Sequence, residues 1–324
     1  MTPDLSILVV TYNSRRLVAP LLQRLHDEIA DLRAEVVLVD NASADGTASF
    51  VRQAFPWVKL VASAVNLGFA AGNNLAALHA SGRHLLLLNP DAMPEPGALR
   101  RGIALMDGHP GVGLAGGELR GVDGSRQPSA RMFPTLRDEL FTLSGLAARH
   151  PHSRLFARLD RRWADPEQPA AVDWIPGAFV FIPAAVFRRL GGFDERFFMY
   201  YEEVDLCRRM KAQGLGVHYW PELKATHIGG ASARTVAHAR VSRSGSQLET
   251  WRMRSALLYY RKHHGPGATA LLHALEHGWH RLRQLRAIWR GHHERAADFA
   301  LHGRQLVQAW RDTRGGRHSP ATPW

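Results

Sequence analysis

Short apolar runs alternate with helix-period segments through the first third of the chain. Strands are predicted at Leu5–Thr11, Glu35–Asp40, Val58–Val61, His84–Leu88 and Val112–Ala115. Between them, apolar positions at helical spacing predict helices over Ser14–Ala30, Asp45–Ala54, Ala70–Ala80 and Pro96–Asp107. This alternation builds an α/β fold: a mostly parallel, Rossmann-like sheet with helices on both faces. Leu85 to Leu88 are consecutive leucines, the mark of a strand covered on both sides. Pro90 then denies the ladder a donor, so the chain leaves the sheet at Asn89-Pro90-Asp91. Asp91 is thereby presented at the carboxyl end of a central strand, the edge where open α/β sheets bind ligands. A carboxylate there either holds a divalent cation that grips nucleotide phosphates or caps the helix beginning near Glu95.

From Gly116 to Ala171 the pattern loosens. Gly121, Gly124, Pro128 and Pro134 precede a weakly amphipathic stretch at Leu136–Leu159, and the segment from Asp165 to Pro169 reads as a loop. Trp174–Pro183 regains strand character, and Ala184–Leu190 is a short helix closed by Gly191 and Gly192. Glu202–Gln213 is a further helix ended by Gly214, and Leu215–Trp220 a strand. After Ser246 the pattern is helical and basic, interrupted at Gly265-Pro266-Gly267. The last ten residues, rich in Gly, Pro and Arg, are expected to be disordered. The division expected is 1–232 and 233–324.

Composition narrows the classes. With 45% hydrophobic and 22% charged residues, the 324-residue chain is an ordinary globular protein rather than a disordered one. The single cysteine, Cys207, excludes a disulfide framework and a cysteine zinc cluster. No basic leader or long apolar window suggests a signal peptide or a membrane span. The formal charge of +12 is concentrated at one end. From Ala231 onward there are 16 Lys and Arg against 5 Asp and Glu, whereas the preceding residues are close to neutral.

Five polar clusters fall where strands end or helices begin. Thr11-Tyr12-Asn13 suits a nucleobase and ribose, or is a plain N-cap by Asn13 or Ser14. Asp40, followed by Asn41, Ala42 and Ser43, can accept from an imide N–H or a ribose hydroxyl, or cap the next helix. In the segment from Asn66 to Asn74, Gly68 and Gly72 permit close backbone approach at a helix N-terminus. There is neither a P-loop nor a G-x-G-x-x-G fingerprint, which removes the usual signals of ATP hydrolysis and dinucleotide chemistry. The fourth cluster is Asn89-Pro90-Asp91. In the fifth, aromatic residues from Phe197 to Tyr201 lead into Glu202, Glu203 and Asp205. Carboxyls in a first helical turn complement the helix dipole, and an apolar setting can also raise one toward the pKa of a working base. Downstream, His227 follows a strand and precedes Gly229 and Gly230.

From Leu5 to about Ser232 the order and spacing of these segments resemble those of a GT-A glycosyltransferase of family 2, in its rhamnosyltransferase-like branch. The resemblance implies an inverting transfer of a sugar from a nucleotide-diphosphate donor to a hydroxyl of a cell-surface glycan or lipid-linked acceptor. By it, Thr11, Tyr12, Asn13 and Asp40 line the base and ribose pocket, and Asn66, Gly68, Asn73 and Asn89 help hold the nucleotide. Asn89-Pro90-Asp91 stands for the D-x-D motif with only its last aspartate, so Asp91 is the expected contact to Mg2+ or Mn2+, with His227 the second. Glu202-Glu203 occupies the place of a Glu-Asp pair, which makes Glu203 the expected base, with Glu202 and Asp205 as neighbours. Trp174, Gly177, Ala178 and Arg131 resemble positions near donor sugar and acceptor. The donor implied first is dTDP-L-rhamnose, with UDP-galactofuranose or a UDP-hexose as the alternative. A non-catalytic nucleotide-sugar-binding protein is the alternative of another class.

In the basic region, Trp251, Leu257, Leu258, Leu271, Leu272, Leu275, Trp279, Leu282, Leu285, Ile288 and Trp289 interleave with Arg281, Arg283, Arg286 and Arg290. Apolar and arginine faces on one helix suit an anionic bilayer surface, which would put a cytoplasmic protein on the inner face of the membrane. The other reading is a helical pair packed on the catalytic domain or on a second copy of the chain. No signature of nucleic-acid recognition accompanies the charge.

Overall fold

The computed structural model describes residues 2–228 and 247–320. The glycines after His227, Ser232 and the expected boundary at 232/233 lie outside the described residues. The strands are β1 (Leu5–Thr11), β2 (Ala34–Asn41), β3 (Lys59–Ser63), β4 (His84–Leu88), β5 (Ala92–Pro94), β6 (Val112–Arg120), β7 (Arg126–Gln127), β8 (Ala170–Ala171), β9 (Phe179–Pro183) and β10 (Gly216–His227). The first helices are α1 (Arg15–Ile29), α2 (Thr47–Ala54), α3 (Gly68–Leu78), α4 (Ala98–Gly108) and α5 (Leu136–Leu143). They are followed by α6 (Leu146–Arg149), α7 (Ala184–Arg189), α8 (Glu202–Ala212), α9 (Gln247–Trp289) and α10 (His293–Asp312).

The chain forms two compact units. One comprises the chain up to Phe133, Asp160–Asp194 and Glu203 through β10. The other comprises Pro134–Leu159, Glu195–Glu202 and the helices α9 and α10. The division is therefore interleaved rather than a single cut, and local contacts show why. Helix α5 packs on α9, the Phe198 ring lies 4.9 Å from Trp251, and Ser255 Oγ donates to the Met199 carbonyl at 2.8 Å.

In the first unit the sheet order is β3-β2-β1-β4-β9-β6-β10-β5, with β7 on β6 and β8 on β10. Strands β1, β2, β3 and β4 are parallel, as the alternation predicts. All five residues of β4 are buried. Each buried leucine there contributes about 1.5–3 kcal/mol, so β4 cannot occupy an edge. Strand β9 pairs antiparallel with both β4 and β6, and β10 runs parallel to β6. Two reversals restore direction, so the carboxyl ends of β6 and β10 lie on the same sheet edge as those of β1, β2 and β4. That edge holds every strand-end candidate.

Two sequence expectations are corrected. Strand β10 runs on through Pro221 to His227, beyond the expected end at Trp220. The register with β6 shifts between Tyr219 and Lys224, and this bulge absorbs the proline that lacks a ladder donor. The stretch Leu136–Leu159 is two short helices, α5 and α6, followed by turns.

In the helical unit, α9 departs from helical geometry at Gly265 (φ 82°, ψ 176°), where the sequence predicts an interruption. The end of the chain departs from expectation. Gly315, Arg317 and His318 donate backbone hydrogen bonds to Trp310 and Thr313 carbonyls at 2.8–3.1 Å. Gly316 (φ +79°) lies so close to Leu257 that a Cβ would stand 2.2 Å from its carbonyl oxygen. Composition suggests disorder, but glycine here permits intimate packing. Residues 321–324 lie outside the described residues.

The rings of His280 and His302 stack at 3.8 Å in this unit. Burial, and then the neighbouring His302, push the His280 pKa down to about 4. A histidine held below its unfolded value costs stability once the unfolded chain begins to protonate. Stability is thus full above about pH 6.5 and falls toward pH 4, at most by about 1 kcal/mol per pH unit for this group. Denaturant unfolding across that range should show this loss, and His280→Leu should flatten it.

Candidate active site

Thr11 and Asp40 are partners in the β1–β2 register, at the carboxyl ends of their strands. Both are buried, at 1% and 3% exposure. Asp40 Oδ2 accepts from the Ser43 backbone N–H at 3.1 Å, whereas Asp40 Oδ1 and Thr11 Oγ1 are buried without a hydrogen-bond partner. Such an atom costs about 1–3 kcal/mol, and two together at the carboxyl edge of the sheet form a place where a polar ligand could supply the missing bonds. Asn13 behaves differently. Left-handed at φ 48°, it donates its N–H to Ser43 Oγ at 2.9 Å and accepts from the Ala44 N–H at 2.8 Å. It braces the two strand-end loops. Tyr12 is half-buried beside it, its carbonyl accepting from Ser14 Oγ.

The segment from Asn66 to Asn74 is built mainly from its own contacts. Asn66 Oδ1 accepts from the Gly68 N–H at 3.0 Å, and Asn41 Nδ2 donates to the Gly68 carbonyl at 2.9 Å. Asn73 is buried and donates back to the Phe69 carbonyl at 2.9 Å. At Gly72 a Cβ would meet Val10 at 2.8 Å and Asn41 at 3.2 Å. Its close approach is therefore of α3 onto β1, not of backbone onto a ligand. Asn74 ties the segment to Phe193, accepting from its N–H and donating to its carbonyl.

Asp91 follows β4 and is buried at 6% exposure. It does not cap the next helix, because α4 begins at Ala98 behind Gly97. Instead β5 starts beside it and pairs antiparallel with β10, His227 opposite Ala92, and the Ile228 N–H donates to the Asp91 carbonyl at 3.0 Å. This register brings His227 Nε2 to 3.4 Å from Asp91 Oδ1. The separation is within ion-pair range, yet Nε2 is buried and forms no hydrogen bond. On its other side, Nδ1 lies 2.7 Å from Gln127 Oε1, and Gln127 Nε2 donates to the His227 carbonyl at 2.6 Å. A carboxylate oxygen and an imidazole nitrogen so placed fit a divalent cation. Gln127 went unrecognised in the sequence: a glutamine between Gly124 and Pro128 carries no local signal.

Asn89 donates its N–H to the Ala178 carbonyl at 3.0 Å, which locks the turn before Asp91 onto the start of β9. Trp174 and Arg131 form one assembly. Their backbones pair, the guanidinium lies 4.5 Å from the indole centroid, and Trp174 Nε1 donates to the Met132 carbonyl. Arg131 also pairs with Asp160. Gly177 packs under the Phe69 ring. A cavity of about 390 Å³ opens nearby, with Gln127, Ser129, Asp160, Arg161 and Tyr219 in its wall.

The chain enters α8 through Tyr200 and Tyr201, left-handed at φ 70° and 69°. Two such tyrosines in succession cost roughly 1–2 kcal/mol each, strain of the kind that collects at functional segments. The three carboxyls that follow are not equivalent. Asp205 is fully buried and accepts from Arg209 Nε at 2.8 Å, while the same guanidinium donates to the Leu190 and Gly192 carbonyls. It is scaffold. Glu202 is buried and Glu203 half-buried at the helix start. Burial pushes the Cys207 thiol well up, the Glu203 charge adding to the effect, so this cysteine is no nucleophile.

The open sheet, with Asp91 and His227 meeting on the edge formed by the ends of β1, β2 and β4, has the architecture of a GT-A fold. In structure it is similar to a mannosyltransferase from Pyrobaculum calidifontis, solved with GDP-Man and Mn2+ (TM-score 0.56, 17% identity, 98% of this chain and 89% of that one). It is also similar to GalNAc-T7 solved with UDP, GalNAc and Mn2+ (TM-score 0.53, 12% identity, 81% and 51%). Residues 6–160 match the model of glycosyl transferase family 2. The N-acetylglucosaminyl-diphospho-decaprenol L-rhamnosyltransferase of Mycobacterium tuberculosis is 30% identical over 70% of this chain and 76% of its own length. The rhamnosyltransferase WbbL of Escherichia coli K12 is 24% identical over 78% and 91%. The chain belongs to glycosyltransferase family 2 and is a rhamnosyltransferase-like member of it.

The scaffold role of Asp205 has a measurable consequence. Arg209→Ala removes the guanidinium that binds buried Asp205 and two backbone carbonyls, and should cost about 3–5 kcal/mol of stability, read by denaturant unfolding.

Proposed function

We propose that this protein transfers a sugar from a nucleotide-diphosphate donor, dTDP-L-rhamnose first among candidates, to a hydroxyl of a lipid-linked or cell-surface glycan, with inversion at the anomeric carbon. The observation that carries this reading is the meeting of Asp91 and His227 on the sheet edge that also holds the unsatisfied polar atoms of Thr11 and Asp40. Thr11 and Asp40 hold the base and ribose, and the loop braced by Asn13, Asn66 and Asn73 shapes their pocket. Asp91 and His227 would hold Mg2+ or Mn2+, which when bound neutralises charge on the departing diphosphate. The two solved neighbours that carry Mn2+ support this assignment. Glu203 takes the proton from the acceptor hydroxyl as that oxygen attacks opposite the leaving phosphate, a general-base contribution of about 10²–10⁴-fold. Trp174, Arg131, Gly177 and Ala178 wall the sugar side, and the cavity beside Ser129 receives the acceptor. The names of the mycobacterial and Escherichia coli relatives support the rhamnosyl donor, and that of the mycobacterial one supports the diphospho-lipid acceptor.

Transfer from labelled donor tests the chemistry. Glu203→Gln should lose at least 10²-fold in kcat while donor affinity stays within a few-fold; near-normal turnover would remove Glu203 from the role. A thermal-shift panel of dTDP- and UDP-sugars with Mg2+ or Mn2+ tests the donor. The correct one at a hundred times its Kd adds about 2.7 kcal/mol, and stronger stabilisation by UDP-galactofuranose or a UDP-hexose would displace dTDP-rhamnose.

Among the described residues no helix is long and apolar enough to cross a membrane. The second half of α9 exposes Leu282, Leu285, Ile288 and Trp289, the last at 83%, among Arg281, Arg286 and Arg290. This face suits the surface of an anionic bilayer, where a lipid-linked acceptor resides. Co-sedimentation with vesicles should require anionic lipid, weaken with salt, and fall about tenfold for the double variant Leu285→Ser and Trp289→Ser. A shift to a smaller oligomer in the same variant would instead assign the face to a second copy.

A further inference from the structure

We infer that Gln127 is the residue that sets the tautomer of His227 and turns its Nε2 lone pair toward Asp91. The inference rests on the reading of Asp91 and His227 as cation ligands. For the neutral imidazole that a cation requires, it follows from donors and acceptors. The His227 carbonyl can only accept, so the amide arm 2.6 Å from it must be the NH2 group of Gln127. The other arm is then a carbonyl oxygen, which can only accept, so His227 Nδ1 at 2.7 Å must carry a proton. A neutral imidazole has one N–H. In that neutral form Nε2 keeps its lone pair, and the atom is buried and 3.4 Å from Asp91 Oδ1. One side chain grips both the backbone and the ring of one histidine, fixing its position and its protonation pattern together. Outer partners of this kind orient metal-binding imidazoles, and their loss typically lowers metal affinity by about 10–100-fold.

The fold makes the grip possible. Gln127 lies on β7, opposite Leu119 in the antiparallel pairing with β6, and β6 pairs in parallel with β10, which carries His227. The β6–β7 hairpin thus delivers an amide to the end of β10 with no help from nearby sequence. Gln127 is a positioning residue, acting through His227 and not on substrate.

Long-range proton–nitrogen correlation spectra of the metal-free protein at pH 8.5, with His227 assigned by comparison with His227→Ala, read the tautomer directly. The native chain should show a protonated Nδ1 and an unprotonated Nε2. Gln127→Leu should lose that signature, and Gln127→Glu, which keeps an acceptor for Nδ1, should retain it. Mn2+ titration followed by electron paramagnetic resonance should give a Kd about 10–100-fold weaker for Gln127→Leu, with near-ultraviolet circular dichroism confirming a folded protein. A protonated Nε2 in the native chain, or Mn2+ affinity in Gln127→Leu within twofold of native, would overturn the inference. Failure of the native chain to bind Mn2+ would sink the cation assignment instead, and the tautomer spectra would still decide the role of Gln127.

Discussion

The antiparallel pairing of β5 with β10 is the constraint on which the site depends. Three residue pairs, from Ala225 opposite Pro94 to His227 opposite Ala92, hold a short strand that leaves the sheet centre against one that arrives from the far side. A slip by one residue would turn His227 to the opposite face and separate it from Asp91. The register is secured from several directions. The Ile228 N–H binds the Asp91 carbonyl, the Glu95 N–H binds the Lys224 carbonyl, and Gln127 holds the end of the strand. Backbone hydrogen bonds thus fix where His227 stands relative to Asp91.

Around that register the polar groups divide into those the fold consumes and those with an atom that no protein group satisfies. Asn13, Asn66, Asn73 and Asp205 are consumed by loop, helix and guanidinium partners. Thr11 Oγ1, Asp40 Oδ1 and His227 Nε2 remain as buried atoms without hydrogen bonds. Residue types do not separate these groups; their partners do. Asp40 contains both kinds, with one oxygen bound to the Ser43 N–H and the other unsatisfied.

Much of this was legible in the amino-acid order. The alternation of strand and helix, the four-leucine strand and its ending at Asn89-Pro90-Asp91 are local patterns, and they appear as the parallel half of the sheet. What escaped is non-local. The bulge that carries β10 past Pro221 depends on its pairing with β6. The role of Gly72 depends on β1 lying beneath it, and the grip of Gln127 on a strand distant in sequence. The helical unit gathers Pro134–Leu159 and Glu195–Glu202 from within the first two thirds of the chain, because packing against α9 outweighs proximity in sequence.

The wrapping of the final turns has a practical side. Thr313, Gly315 and Gly316 are buried, and Gly316 rests on the Leu257 carbonyl. Trimming the polar-looking end after Asp312 would strip part of an interior wall rather than a loose appendage.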